Sequence, residues 1–307
     1  MKRPLRKLPA AKQRELARAV EIIEDGFAQA IATRRADRLK NGRILKIILF
    51  GSYARGDWVH DPIGRYFSDF DLLIVVDHDD LTDFEFWEDV EKRLLAELAG
   101  GLMRTQVSPI VHSLDDVNWK LEHGRGFFID IVRDGVVLKD TPGVAFSEPQ
   151  PLPPSTALGE ASEYYEDWKE TADGFSMAAA FLREKDQPKL AAFNIHQAAE
   201  TIYQGLLLVL TLYSPKSHNL VRLRNMTEPL EPRLREVWPH ETKFEKRCFE
   251  LLRAAYVKAR YSRHYRITEE ELTYLTARIE VLRQIVTEAS EVRIAELKKA
   301  AEGGSEG

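Results

Sequence analysis

The sequence predicts an α+β fold in two parts, an N-terminal α/β domain with a small mixed sheet and a C-terminal all-α helical bundle. Three observations predict it. In the first part, short apolar runs bounded by small or acidic residues alternate with amphipathic segments. The stretch TPGVAFSEPQPLPPSTALG then holds five prolines, which remove backbone donors and favour extended chain. Beyond it, strand alternation stops and helical periodicity takes over. The expected limits are residues 1–141 for the α/β domain, 142–158 for the linker, 159–300 for the helical domain and 301–307 for a disordered tail.

The first domain opens with a helix over 10–39, whose stripe Leu16, Val20, Ile23, Phe27, Ile31 packs on the sheet while its basic face is solvated. Strands are expected over 45–50, 69–76, 105–112 and 136–139, with helices over 83–98, 115–122 and around 127–132. In the second domain the expected helices are 160–184, 188–212, 221–226, 232–238, 243–261 and 268–298, separated by Pro, Ser and Asn signals. Ser217 is the expected N-cap of the 221–226 helix, and Thr268 with Glu271 reads as a capping box.

Composition excludes several function classes. With 307 residues and 44% hydrophobic content the chain can build two cores, yet no stretch approaches the roughly 20 uninterrupted apolar residues of a membrane span. The basic start MKRPLRKLPAAKQR has no apolar core behind it, so no secretory signal is expected and the cytoplasm is the expected location. Cys248 is the sole cysteine, which excludes an internal disulfide and a cysteine zinc site; it reads as a core thiol. A formal net charge of −5 argues against a general nucleic-acid-binding surface.

The chemistry concentrates in IILFGSYARGDWVHDPIGRYFSDFDLLIVVD: strand, small-residue turn, loop, then acid-Phe-acid opening a second strand. Side chains at i and i+2 on a strand share a face, so Asp69 and Asp71 converge, with Cα atoms about 6–7 Å apart. Two close carboxylates repel unless a cation lies between them, and hard oxygen ligands suit Mg²⁺ or Mn²⁺. Gly51 lets backbone approach a ligand, amides of the turn can cradle phosphate, and Ser52 adds a hydroxyl. The pattern therefore points to nucleotidyl transfer from a nucleoside triphosphate, ATP being the expected one.

On Gly51, Ser52, Ala54-Arg55-Gly56, Asp69 and Asp71 the chain resembles the nucleotidyltransferases of the polymerase beta superfamily, particularly the small prokaryotic ones related to aminoglycoside-modifying enzymes. The resemblance implies that Gly51 and Ser52, with Arg55 beside them, hold the nucleotide phosphates, that Asp69 and Asp71 hold the metal, and that the acceptor is a hydroxyl of a protein or small molecule. Two departures stand out. The loop 56–68 is longer than the family minimum, and Trp58, His60, Arg65 and Tyr66 are a candidate lid or substrate wall. The family's third carboxylate is expected within 104–112, where Gln106 and Ser108 occupy the places; Asp130 is the next acid along the chain.

In the helical part, Ile195, Ala198, Ile202, Leu206 and Val209 form an apolar stripe, with His196, Glu200 and Gln204 on another face. Arg253, Tyr256, Arg260 and His264 form a comparable row if their helix persists past Ser262. Read structurally, Glu200 pairs with an arginine; read functionally, Arg260 binds phosphate and His264 acts as acid or base. The segments FNIHQAAETIYQGLL, SHNL and AAYVKARYSRHY resemble the HEPN domain over residues 155–288. That resemblance implies a ribonuclease or toxin-like module with RNA as partner, although only three residues separate Arg260 from His264 where the family has four to six. In toxin–antitoxin pairs of this kind the transferase places AMP on a tyrosine near that histidine, which singles out Tyr265 and Tyr261. HEPN domains commonly pair through their helices, and the apolar run 206–212 supports a homodimer. A third alternative is a protein that binds nucleotide without transferring it.

Overall fold

The computed structural model describes residues 8–58, 60–61 and 66–303. The chain divides into two compact units, Met1–Pro151 and Leu152–Gly307.

In the first unit, helix α1 (Ala10–Ala32) buries Leu16, Ala19, Ile22, Ile23 and Phe27 at three- and four-residue spacing. It stops seven residues short of the expected end. After Ile31 the apolar stripe runs out, Thr33 and Arg34 donate to the carbonyl of Ala30, and the chain turns into the short helix α2 (Asp37–Lys40). Strand β1 (Ile44–Phe50) follows, then the helical turn α3 (Gly51–Arg55), a two-stranded ribbon of β2 (His60–Asp61) and β3 (Tyr66–Phe67), and strand β4 (Phe70–Val76). Next come α4 (Glu88–Ala99), β5 (Val107–Ser113), α5 (Leu114–Glu122), α6 (Gly126–Asp134) and β6 (Val136–Asp140).

The four long strands form a mixed sheet in the order β5-β4-β1-β6. β1 is antiparallel to both β4 and β6, while β4 and β5 run parallel. β1 is buried along its whole length and β4 at every position except Asp71, so both sheet faces are covered and the strands read as continuous apolar runs. Asp71 thus interrupts an apolar strand at its first turn outward.

The second unit is helical: α7 (Pro154–Glu184), α8 (Pro188–Thr211), α9 (Leu220–Thr227), α10 (Lys243–Ala254) and α11 (Glu269–Gly303). α7 begins inside the proline-rich stretch, with Pro154 in its first turn, where its missing N–H costs no hydrogen bond. α8 is the central helix. Gly205 lets Trp168 of α7 press against its backbone, since a Cβ there would lie 2.2 Å from the Trp168 ring. Leu206, Leu207 and Val209 are buried within this core, so the run 206–212 is consumed by the unit's own packing and no longer argues for a second copy.

Three local expectations are corrected. The N-cap of α9 is Asn219, whose Oδ1 accepts from the amides of Val221 and Arg222, while Ser217 Oγ accepts from the Asn219 amide one step earlier. Residues 232–236 form a 3₁₀ turn, not an α-helix. The helix over 243–261 contains a π turn at Ala255–Ala259, and α-helical hydrogen bonding ends near Tyr261. The capping box at Thr268 and Glu271 forms, with reciprocal bonds of 2.8 and 3.2 Å, and a second one at Thr242 and Glu245 starts α10. Cys248 is a core thiol, its pKa pushed up to about 11 by burial.

Candidate functional site

β1 delivers the chain to Gly51, and the antiparallel register sets Phe50 opposite Asp71, so the turn and the second carboxylate lie side by side. Gly51 has φ +69°, and a Cβ on it would stand 2.3 Å from Asp71 Oδ2. Only glycine satisfies both the left-handed backbone and that approach. α3 then closes on Gly56 at φ 92°, whose amide returns to the Ser52 carbonyl. The first amides of such a turn have no acceptor within it, which suits phosphate oxygens. Ser52 is half-buried beside them; Arg55 is exposed and ion-paired with Asp57 at 3.2 Å.

Asp69 lies immediately before β4 and is 7% exposed. Its Oδ2 accepts a hydrogen bond from Ser108 Oγ at 3.0 Å. Parallel pairing of β4 with β5 sets Asp71 opposite Ser108, and the Phe70 amide donates to the Gln106 carbonyl. Asp69, Asp71 and Ser108 are thereby gathered at one end of the paired strands β4 and β5. Asp130 sits on α6, exposed and paired with Arg133 at 2.8 Å. Among the described residues, no group of three His, Cys, Asp or Glu is placed to share a metal ion. The oxygen-only set of two carboxylates and a hydroxyl nevertheless fits a hard divalent cation.

Behind the carboxylates, Tyr53 stacks on Trp58 at 5.3 Å and packs against Phe70 at 4.6 Å. Burial, with the charges of Glu15 and Asp69 adding to it, holds the Tyr53 phenol above its usual range. Trp58 is thus part of the wall behind the turn. The backbone of His60 pairs with Phe67 and that of Asp61 with Tyr66; Arg65 and the side chains of His60 and Tyr66 lie outside the described residues.

The helical unit holds its own polar cluster. Glu200 is buried on α8, and its partners are histidines, not the expected arginine. His218 Nδ1 lies 2.9 and 3.0 Å from its two carboxylate oxygens, and His196 Nε2 lies 3.4 Å away. His196 is fully buried with Nδ1 2.9 Å from the Leu252 carbonyl, which only accepts, so Nδ1 carries the proton. The exposed His218 ring stacks on Tyr256 at 4.1 Å, and the Arg260 guanidinium lies 4.6 Å over the same Tyr256 ring. Gln204 Nε2 donates to the Ser217 carbonyl, tying the His218 loop to α8.

His264 does not continue the row begun at Arg253. A π turn shifts the helical phase and the helix ends at Tyr261, leaving His264 exposed in a following turn, its amide bonded to Ser262 Oγ. It lines an open pocket with Val257, Lys258, Tyr261, Ser262 and Arg263, among which Arg260 is not counted. Tyr265 is buried, its phenol pushed up by burial and donating to the Leu251 carbonyl, so it offers no accessible hydroxyl; Tyr261 is 74% exposed. Sequence reasoning missed the Glu200–His218 pair, although both residues lay in segments it had marked.

Two domain families match this chain: the nucleotidyltransferase domain over residues 30–105 and the HEPN domain over residues 165–290. A relative from Methanocaldococcus jannaschii, named "Putative protein adenylyltransferase", is 39% identical over 97 residues, which is 32% of this chain and 80% of the relative.

Proposed function

The chain belongs to the nucleotidyltransferases and carries a HEPN domain, and from that premise we propose that it moves the adenylyl group of ATP onto a hydroxyl of a protein, with Mg²⁺ or Mn²⁺ held by Asp69 and Asp71. Nucleoside monophosphate transfer is the chemistry of the family; the protein acceptor follows the name of the archaeal relative, and a small-molecule hydroxyl is the competing acceptor. The observation that supports the reading is the close approach of Asp71 to Gly51, where a Cβ would stand 2.3 Å from Oδ2, so that turn amides suited to phosphate and oxygens suited to a metal adjoin. In it, Gly51 and Ser52 hold the triphosphate through amides and hydroxyl, Arg55 adds a cation at the rim, and Ser108 fixes Asp69. When bound, the divalent cation neutralises triphosphate charge and stabilises the departing pyrophosphate.

The test is pyrophosphate release from each of the four nucleoside triphosphates, with Mg²⁺ or Mn²⁺, by wild type and by Asp69→Asn/Asp71→Asn. Release that prefers ATP and disappears in the double variant supports the reading. Equal background release from both proteins contradicts it.

A second reading concerns the helical unit and is favoured by the clamp of buried Glu200 on exposed His218. A carboxylate that holds Nδ1–H leaves Nε2 as a proton acceptor, and Arg260 beside the shared Tyr256 ring adds a cation for phosphate. This supports metal-independent RNA cleavage by the HEPN domain, with His264 or His218 as base. Cleavage of single-stranded RNA in EDTA that is lost in His264→Ala or His218→Ala would bear it out, and none by wild type would remove it.

We also read the chain as a cytoplasmic homodimer. No helix of the described residues is long and apolar enough to cross a membrane. Met177 and Phe181, one turn apart and exposed on α7, offer the apolar strip for a second copy. A monomer mass by light scattering at micromolar concentration contradicts the dimer.

A further inference from the structure

His218 and His264 compete for the role of base in the helical unit, and the fold holds only His218 in place. It lies in the loop between α8 and α9, with Nδ1 2.9 and 3.0 Å from the carboxylate oxygens of Glu200. A carboxylate accepts and does not donate, so Nδ1 carries the proton and Nε2, on the other edge of the ring, is left as an acceptor. Glu200 is 6% exposed while the His218 side chain is 54% exposed, so the clamp comes from the core and the ring reaches solvent. Tyr256 stacks on the imidazole at 16° and sets its plane. Among the described residues the His264 imidazole has no hydrogen-bond, ion-pair or ring partner, and the pocket it lines includes neither His218 nor Arg260. Arg260 is oriented as His218 is. Its Nε donates to the Tyr256 carbonyl at 2.7 Å, and the rings of Phe193, Tyr256 and Tyr261 surround its guanidinium at 5.0, 4.6 and 5.1 Å. A base and a cation are thus set about one ring, that of Tyr256.

We infer that His218, not His264, is the general base of the helical unit and that Glu200 is its positioning residue, an inference that rests on the RNA-cleavage reading above. A ribose 2′-hydroxyl gives its proton to His218 Nε2, its oxygen bonds the neighbouring phosphorus, and the bond from phosphorus to the 5′-oxygen breaks. The departing 5′-oxygen takes a proton from water, and the imidazolium returns its proton to the hydroxide so formed. The products are a 2′,3′-cyclic phosphate and a 5′-hydroxyl, with atoms and charge balanced and no further reagent consumed. Arg260 presents its planar guanidinium to the phosphate oxygens, on which negative charge grows during the attack. Glu200 keeps the ring proton on Nδ1, which leaves Nε2 for the 2′-hydroxyl, and it stabilises the imidazolium once formed. His264, with no group to set its tautomer or direction, lacks both advantages.

Single-stranded RNA of mixed sequence, end-labelled and incubated with the full chain in EDTA, tests this. Wild type should leave 2′,3′-cyclic phosphate ends. His218→Ala should be slower by about 100-fold or more, and free imidazole should restore part of that loss, a rescue that a merely structural role does not allow. Glu200→Gln should lower kcat and leave KM for RNA unchanged. Cleavage that survives His218→Ala, or a loss that imidazole does not rescue, overturns the inference; so does a loss in His264→Ala that imidazole restores. If His218→Ala fails to fold, nitrogen NMR of the wild-type histidines decides: a neutral His218 ring protonated on Nδ1 upholds the assignment, and one protonated on Nε2 overturns it. Wild type that cleaves no RNA removes the RNA-cleavage reading itself, whereas wild-type cleavage that does not depend on His218 removes only its role as base.

Discussion

Each unit sets a small acidic cluster inside apolar surroundings, and the two clusters are built in opposite ways. In the first, Asp69, Asp71, Gly51 and Ser108 are placed by strand register, so short-range spacing and ladder pairing fix every member. Two carboxylates stand there on one strand end, and a serine hydroxyl donates to one of them. In the second, Glu200 is held by the imidazole of His218, brought by a loop 18 residues further on, with the buried His196 ring beside it. Two carboxylates set on one face by a ladder suit a cation from outside the chain; a carboxylate held by a histidine of the same unit is partnered as folded. The first cluster should therefore respond to substitution mainly through activity, the second mainly through stability.

The sharpest break of that contrast is at the carboxylates. Asp69→Asn/Asp71→Asn should lower transfer by more than about 100-fold while the melting temperature moves by only a few degrees, because removing like-charge repulsion offsets lost contacts. Gly51→Ala should act similarly, since its Cβ would displace the Asp71 carboxylate from 2.3 Å and a shift of about 1 Å at a reacting centre costs on the order of 100-fold. A drop in stability without loss of transfer would erase the distinction.

Glu200→Ala should do the reverse. It leaves His218 without its partner and opens a hole beside His196, at a cost of about 3 kcal/mol in thermal or urea unfolding of the full chain. Glu200→Gln, which keeps the volume and one acceptor, should cost less than half of that. Equal destabilisation by both variants would mean that packing, not the charge match, is what Glu200 supplies.

A third cluster serves as a control within the first unit. Asp116 caps nothing catalytic; burial would raise its pKa, but the hydrogen bonds of His112 and Lys120 outweigh that and bring it down to about 2. A folded value below the unfolded one means stability that is present above about pH 4 and lost as pH falls toward 2. With the carboxylate partly solvated, about 1 kcal/mol is expected over that window. Asp116→Asn should flatten the acid limb of the stability curve there and leave transfer at neutral pH unchanged; an unaltered limb removes the assignment.

The smallest effect separates Tyr261 and Tyr265, the two tyrosines near His264. Tyr265→Phe deletes a buried hydrogen bond to the Leu251 carbonyl and should cost about 1 kcal/mol, measurable in urea midpoints. Tyr261→Phe, at an exposed position, should cost nothing measurable. If the buried hydroxyl proves dispensable, the Tyr265 bond is not holding the 251–265 turn.

How much of this was legible in sequence follows from the same contrast. Asp69, Asp71 and the turn at Gly51 were readable because a two-residue repeat on a strand and a small-residue turn after an apolar run encode geometry locally. Ser108 was readable as the occupant of an expected position, but its bond to Asp69 required the parallel register of β4 and β5. Glu200 was visible as a polar residue on an apolar helix, yet its partner was not, because no periodicity links α8 to a loop histidine. The π turn at Ala255–Ala259 was equally hidden: RAAYVKARY has no proline or glycine to mark it, yet it shifts Arg260 out of phase with Arg253, and the helix end at Tyr261 then takes His264 out of the row. The end of α1 failed for a simpler reason, since good helix formers continue through residues 33–40 and only the return to β1 breaks them.

The most direct test of the account is transfer itself: α-phosphate-labelled ATP with Mg²⁺, the full chain and a cell extract as protein acceptor, wild type beside Asp69→Asn/Asp71→Asn. The account predicts covalent label on protein with wild type and none above background with the double variant. Label appearing equally with both, or only on small molecules, would contradict it.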